Sequence, residues 1–371
     1  MFLVNNFTQS LLTLFLTDNM DFDKYTTEFS LVAKEKGYTP DEISALLDYA
    51  RKLNEKELPI IFDQFHLSLL LGYDYYYLLS VSNAQYCHYK KYEIPKKNGD
   101  KRTIMEPYPA LKDVQTWILK NILEPAAKQC VSPVAKAFIP GKTLRENARF
   151  HKNKKTVVAL DLHDFFGTVR FYPVYNLFQK LGYNKAVSIM LTHLCMLHGS
   201  LPQGAPTSPM LSNMVFFELD KRIFNYCRKR NILYTRYADD LTFSSDKMDQ
   251  SHLISYVKML VTQSRFTLNE EKTKVMGRGT RQSVTGVVVN DKMQVSRVYR
   301  DKVRQEVYYS IKYGFCNHMA HIDLPEWIKT PEVYARHLYV KVNFVLQINP
   351  KDTEFVRYAE WLKEYAYPKQ K

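Results

Sequence analysis

Two adjacent carboxylates inside an apolar run constrain this chain more than any other feature. Asp239 and Asp240 stand within Leu233-Tyr234-Thr235-Arg236-Tyr237-Ala238-Asp239-Asp240-Leu241-Thr242-Phe243. The flanking apolar and aromatic residues read as a hairpin. In a buried hairpin two unpaired carboxylates repel each other, and desolvation penalises both. A divalent cation removes both penalties. Magnesium prefers carboxylate oxygen and leaves room for substrate phosphates. The pair points to metal-assisted phosphoryl or nucleotidyl transfer, although an isolated Asp-Asp is equally compatible with a turn between two strands.

The rest of the chain decides between these readings. At 371 residues, with 46% hydrophobic residues and only 12 Gly, it is a fully folded protein with room for two or three subdomains. The net charge of +14 favours a polyanionic partner. Residues 86–155 carry 16 Lys and Arg against 6 Asp and Glu, whereas residues 1–85 carry 6 against 12. Tyr86, Tyr89, Tyr92 and Tyr108 lie in the basic stretch. Cations beside stacking rings suit nucleic acid. The five cysteines are far apart and form no Cys-x-x-Cys pair, which suits a reducing cytoplasm. His193-x-Cys195-x-x-His198 lies in an apolar helical run and reads as core packing. No apolar run is long enough to span a membrane, and residues 1–7 read as an amphipathic helix.

Residues 1–80 read as helical. Thr39-Pro40-Asp41-Glu42 is a helix start, with a capping hydroxyl, Pro in the first turn and acids at the positive end of the dipole. Tyr92–Pro95 and Arg102–Met105 are strand-like runs joined by Lys96-Lys97-Asn98-Gly99-Asp100-Lys101, a hairpin with a cationic tip. A helix is expected over 110–124. Thr156–Leu160 is a buried strand ending at Asp161. Helix follows over 173–197, then a Pro- and Gly-rich loop from Leu201 to Pro209 and a helix to about Arg228. After the Asp239 hairpin come a helix near 249–264, strands near 273–276 and 283–289, and helices over 295–371.

Asp161 supplies a third acid at a strand end, 78 residues before Asp239. Metal-assisted transfer needs carboxylates from separate strands to converge on two ions roughly 3.5–4 Å apart. One ion lowers the pKa of the attacking hydroxyl, and the other steadies the leaving pyrophosphate.

In this order the parts resemble a reverse transcriptase over most of residues 89–290. Asp161-Leu162-His163-Asp164-Phe165-Phe166 looks like the first palm motif. Leu201-Pro202-Gln203-Gly204-Ala205-Pro206-Thr207-Ser208-Pro209 looks like the second. Tyr237-Ala238-Asp239-Asp240 looks like the third, and Leu268-Asn269-Glu270-Glu271-Lys272-Thr273-Lys274 like the fourth. Asn147-Ala148-Arg149-Phe150-His151 and Val284-Thr285-Gly286 resemble two signatures of the bacterial retron branch.

The resemblance implies an α+β right-hand polymerase with fingers, a palm built of antiparallel sheet plus helices, and a helical thumb. Residues 1–85 would be an N-terminal helical region, 86–155 fingers with part of the palm, 156–294 palm, and 295–371 an RNA-binding thumb. Asp161 and Asp239 would be the principal ligands of two magnesium ions, with Asp240 in support. Lys97, Lys101 and Arg102 would hold the triphosphate, and the Leu162 carbonyl would face a metal. Phe166 would clash with a ribose 2′-hydroxyl, Gln203 and Gly204 would line the nucleotide pocket, and Lys272 would neutralise the pyrophosphate. Asn147, His151, Val284, Thr285 and Gly286 would belong to the nucleic-acid contacts, with His151 either orienting RNA or packing structurally.

The implied function is RNA-directed DNA synthesis in a bacterial cytoplasm. The enzyme would copy a cognate structured noncoding RNA (msr–msd type) with deoxynucleotides. Priming from an RNA 2′-hydroxyl would give DNA joined to RNA (msDNA). An effector protein and a role in antiphage defence accompany this branch. The alternatives are a group II intron or diversity-generating reverse transcriptase, or a non-catalytic RNA-binding scaffold.

Overall fold

The computed structural model describes residues 22–95 and 99–367. The chain forms two compact units that exchange segments along the sequence. One comprises the described residues up to Phe138, with Leu162–Arg222 and Leu260–Thr267. The other comprises Ile139–Asp161, Ile223–Met259 and Leu268 onward.

The first unit starts with helices Phe22–Glu35, Pro40–Asn54, Gln64–Leu71 and Tyr75–Asn83. The expected start at Thr39 is a capping box: its hydroxyl accepts from Glu42 N–H, and the Glu42 carboxylate accepts from Thr39 N–H at 2.9 Å. Ile43, Ala50 and Leu53 form the buried stripe of that helix. Strands β1 (Tyr89–Pro95) and β2 (Lys101–Pro107) then pair antiparallel, Ile94 against Arg102. The tip, with Lys97, lies outside the described residues.

The helix expected over 110–124 runs from Pro109 to Ile118, widens into a π turn at Leu119–Leu123, and resumes over Glu124–Cys130. Pro125 has no N–H to give to an α-helical ladder, and the wider turn sits directly before it. The single helix expected over 173–197 is two, Phe171–Leu181 and Lys185–Cys195. Gly182 at φ 117 ends the first, and the Asn184 side chain caps the second through Val187 N–H at 3.1 Å. Cys195 is fully buried, and burial pushes its thiol up to about 12. His193 is held by the Gln85 amide, whose Nε2 donates to its carbonyl at 3.1 Å. Cys195 is thus core packing, as expected, whereas His193 is only half-buried and His198 is exposed, outside the core.

The second unit holds β3 (Thr156–Leu162) up to Asp161, β4 (Leu233–Tyr237), β5 (Asp240–Ser245) and β6 (Leu268–Gly277), in the sheet order β4-β5-β3-β6. Both β3 and β4 run antiparallel to β5. β6 begins earlier than the run near 273–276 suggests. A small hairpin follows, β7 (Ser283–Val284) and β8 (Val287–Val288). Its two loop residues, Thr285 and Gly286, both have positive φ, 47° and 85°, as a type I′ turn requires. The helices Arg297–Tyr313, Phe315–Met319, Pro331–Ile348 and Thr353–Ala366 close the unit. Val303, Val307, Leu338, Val342 and Phe355 bury their apolar faces in one cluster that also takes in Ala148, Val157, Val284 and Val287. Arg300 and Arg304 tie the first of these helices to Glu354, at 2.9 and 2.6 Å.

Among the described residues no helix is long and apolar enough to cross a membrane.

Candidate functional site

The three acids all belong to the second unit, and strand register brings two of them together. Asp161 pairs with Asp240 across β3 and β5, and Tyr237 pairs with Asp240 across β4 and β5. Side chains alternate along a strand. Asp161 and Asp240 therefore share one face of the sheet with Ala159, Thr242, Ser244 and Thr235. The opposite face carries Leu160, Leu241, Phe243 and Tyr234, all buried.

Asp239 sits in the tight connection between β4 and β5. There Ala238 is left-handed, at φ 57, a conformation that costs an L residue about 1–2 kcal/mol. The wholly buried Arg236 helps to hold it, with Nη1 donating to the Ala238 carbonyl at 3.2 Å.

Lys272 on β6 reaches the same end of the sheet. Its ammonium donates to both oxygens of Asp161, at 2.9 and 3.1 Å, which holds its pKa above the usual value. Asp240 shows the opposite strain. Burial, followed by the charges of Asp239 and Asp161, pushes its carboxyl up to about 6, against the pull of Lys272 and Lys274. Among the described residues no three His, Cys, Asp or Glu side chains are gathered as a finished metal shell; the Lys272 ammonium occupies Asp161 instead. The donor set nevertheless fits a hard divalent cation. All three groups are carboxylates, two stand on adjacent strands, and their mutual repulsion is what a shared cation relieves.

A pH signature follows. The folded chain holds the Asp240 proton more tightly than the unfolded chain, whose value is near 3.8. Its contribution to stability is therefore full below about 4 and is lost as pH rises through about 6. In chelator-treated protein, Asp240→Asn should be more stable than the native chain by about 2 kcal/mol at pH 7 and equal to it near pH 4. Melting temperatures across that range check this.

The residues expected to hold a nucleotide lie in the first unit, Lys272 excepted. Gln203 docks on β2, its carbonyl accepting from Met105 N–H at 2.7 Å. Gly204 has φ 121, and a Cβ there would stand 2.8 Å from the Met105 carbonyl oxygen. Only glycine lets the loop lie this close to the strand. Arg102 on β2 is exposed, and Lys101 beside it is ion-paired with Glu93 at 2.9 Å. Leu162 is buried. Phe165 and Phe166 separate clearly. Phe165 packs in the core against Phe216 and Phe266, whereas Phe166 is half-buried beside the exposed Phe138.

The two short signatures meet in the second unit. Asn147 donates to the Thr285 hydroxyl at 3.4 Å. Asn147, His151 and Val284 are buried, and both ring nitrogens of His151 are bonded to protein hydroxyls. Thr285 and Gly286 are the members of this set that reach solvent. Sequence reasoning assigns no role to Arg236, Thr235, Ser244 or Lys274. The polar residues at alternate positions of β4 and β5 were the available signal for Thr235 and Ser244; Arg236 pairs with Leu241 on the opposite face.

A family model described as reverse transcriptase (RNA-dependent DNA polymerase) matches residues 94–302, and the chain belongs to that family. Within it the chain is similar to several curated retron reverse transcriptases. The chain is 38% identical to the retron Mx162 reverse transcriptase of Myxococcus xanthus over 250 residues, 59% of this chain and 51% of the relative. It is 34% identical to the retron Ec86 reverse transcriptase of Escherichia coli over 239 residues, 63% of this chain and 72% of the relative. The chain thus spans about half the length of the first and nearly three quarters of the second. Among solved structures it is similar to telomerase from Candida albicans bound to a fragment of telomeric RNA. That match has a TM-score of 0.44 and 11% identity over 76% of this chain and 59% of the other.

Proposed function

We propose that this chain is an RNA-directed DNA polymerase of a retron, copying a cognate structured noncoding RNA of msr–msd type into DNA. The observation that carries the reading is the register of β3 and β5, which sets Asp161 beside Asp240, with Asp239 at the adjoining turn and Lys272 on Asp161. Asp161 and Asp239 are the principal ligands for two magnesium ions, and Asp240 supports them. Bound there, the ions would activate the attacking hydroxyl and stabilise the leaving pyrophosphate. Lys272, released from Asp161, meets the pyrophosphate charge.

Arg102 offers a fork for phosphate oxygens, and Lys101 a point charge. Gln203, Gly204 and the Leu162 carbonyl line the deoxynucleotide's path. The half-buried Phe166 ring excludes a ribose 2′-hydroxyl. Phe166→Ala should then raise ribonucleotide incorporation relative to deoxynucleotide by about 100-fold, consistent with loss of roughly 3 kcal/mol of discrimination. Single-turnover incorporation of each nucleotide measures this ratio.

Thr285 and Gly286 lie where solvent can reach them and contact the RNA, with the helices of residues 295–371 as the thumb. Synthesis starts from an RNA 2′-hydroxyl and leaves single-stranded DNA joined to RNA. An effector protein and antiphage defence in a bacterial cytoplasm complete the proposal; the five free cysteines suit that reducing compartment.

The test is incorporation of radiolabelled deoxynucleotide on the cognate RNA, native against Asp239→Asn, followed by debranching of the product. Incorporation that survives Asp239→Asn sinks the metal assignment. A product without a 2′–5′ branch sinks the priming assignment.

A further inference from the structure

The buried His151 has no place in the chemistry described so far, yet it touches both strands that carry the catalytic turn. Its Nδ1 lies 2.8 Å from the Ser244 hydroxyl of β5, and its Nε2 lies 2.7 Å from the Thr235 hydroxyl of β4. Thr235 stands opposite Thr242, and Ser244 opposite Leu233. The two hydroxyls are therefore diagonal neighbours on one face. Diagonal neighbours are roughly 7–8 Å apart between backbones, beyond the span of two short hydroxyl side chains bonding each other. An imidazole with a bond at each end fills that span. The face is the one that carries Asp161 and Asp240, and Ser244 is four residues, about 13 Å, along β5 from Asp240.

We propose that His151 is a positioning residue for the catalytic turn: its ring clamps β4 to β5 and so sets where Asp239 and Asp240 stand relative to Asp161. A neutral imidazole has one donor and one acceptor, and hydroxyls complement it in either tautomer. Burial pushes the ring's pKa down to about 3, so it stays neutral across the working range. With no exposed surface, His151 has no face to offer RNA.

The clamp is itself anchored. His151 N–H donates to the Ala148 carbonyl at 3.0 Å, and Ala148 is part of the apolar cluster under the sheet. The helix Leu144–Arg149, carrying Asn147, holds the Thr285 turn from the same segment. Placement errors near 1 Å in a catalytic group can cost about 100-fold in rate, so a clamp on the strands is a direct lever on turnover.

The proposal rests on the polymerase reading for its kinetic consequence, and the experiment separates the two. Thr235→Val and Ser244→Ala remove one hydroxyl each while leaving the ring and the core volume. Each should lower kcat about tenfold with KM for deoxynucleotide and affinity for the RNA unchanged. His151→Ala should lower kcat about 100-fold, with part of the loss restored by His151→Gln, which keeps a donor and an acceptor. The double variant Thr235→Val/Ser244→Ala should lose less than the product of the two single losses, because each breaks the same clamp. Independently of activity, hydrogen exchange at the amides of residues 233–245 should speed up in the single variants while β6 stays protected. Unchanged kcat together with unchanged exchange overturns the proposal. So does a loss confined to RNA affinity, which would make His151 an RNA contact. A native protein that incorporates no nucleotide overturns the polymerase reading instead, and the exchange data alone then decide the clamp.

Discussion

Replacing Asp161 by Asn is expected to lower deoxynucleotide incorporation by at least about 1,000-fold while leaving the fold intact. On the proposed function, the metal ions that the reaction needs would be held jointly by Asp161 and Asp239. Losing one removes about 4 kcal/mol of transition-state stabilisation. The effect on stability should be small for three reasons. Lys272 keeps 61% of its side chain exposed, so losing its partner returns it to water. An ion pair with one partner this exposed contributes little, about 1 kcal/mol or less. One of the charges that push Asp240 upward also disappears, which offsets part of the loss. Active-site titration and a melting curve on the same preparation check both halves. A melting temperature that collapses with the activity would make Asp161 a structural residue.

Gly204→Ala should be the most damaging small substitution in the first unit. A Cβ at residue 204 would meet the Met105 carbonyl oxygen at 2.8 Å, its carbon at 3.1 Å and Ile104 Cγ2 at 2.9 Å. Two of these obstacles are backbone, so no rotamer change relieves the clash. The φ of 121° adds conformational strain for any L side chain. Relief requires β2 to withdraw, which breaks the 2.7 Å bond from Met105 N–H to Gln203 and displaces Arg102 on the same strand. The expected cost is about 2–4 kcal/mol, with a rise of at least about tenfold in KM for deoxynucleotide. Gly199→Ala is the control. It shares the positive φ, 72°, but its added Cβ meets nothing within 4 Å, so only the backbone strain of about 1 kcal/mol should appear. Equal effects from the two would rule out the steric argument.

Much of this was legible in the chain itself. The Thr39 cap and the strand ending at Asp161 come from local rules, and the Asp239 hairpin from the apolar run around it. Their signals lie within a few residues. The helix break at Gly182 and the π turn before Pro125 also have local causes, although they sit inside longer apolar runs that mask them. The site divides in the same way. Asp161, Asp239 and Asp240 announce themselves as acids in apolar surroundings. The burial of Asn147 and His151 does not, because it depends on which strands their segment meets 84 to 138 residues later in the chain. Phe165 and Phe166 are alike as a dipeptide, and only packing assigns one to the core and the other to the open side.

The ion pair between Lys272 and Asp161 means that the protein keeps its own counter-charge at the proposed metal site. One of the three acids is balanced before any cation arrives, Asp161 by the ammonium, whereas Asp240, raised only to about 6, is mostly ionised at neutral pH. A divalent cation held by these acids, as proposed, would bring two positive charges and displace one, so the net gain there would be one unit of charge rather than two. Under the proposed function, the same ammonium would balance Asp161 at rest and the charge of the departing pyrophosphate.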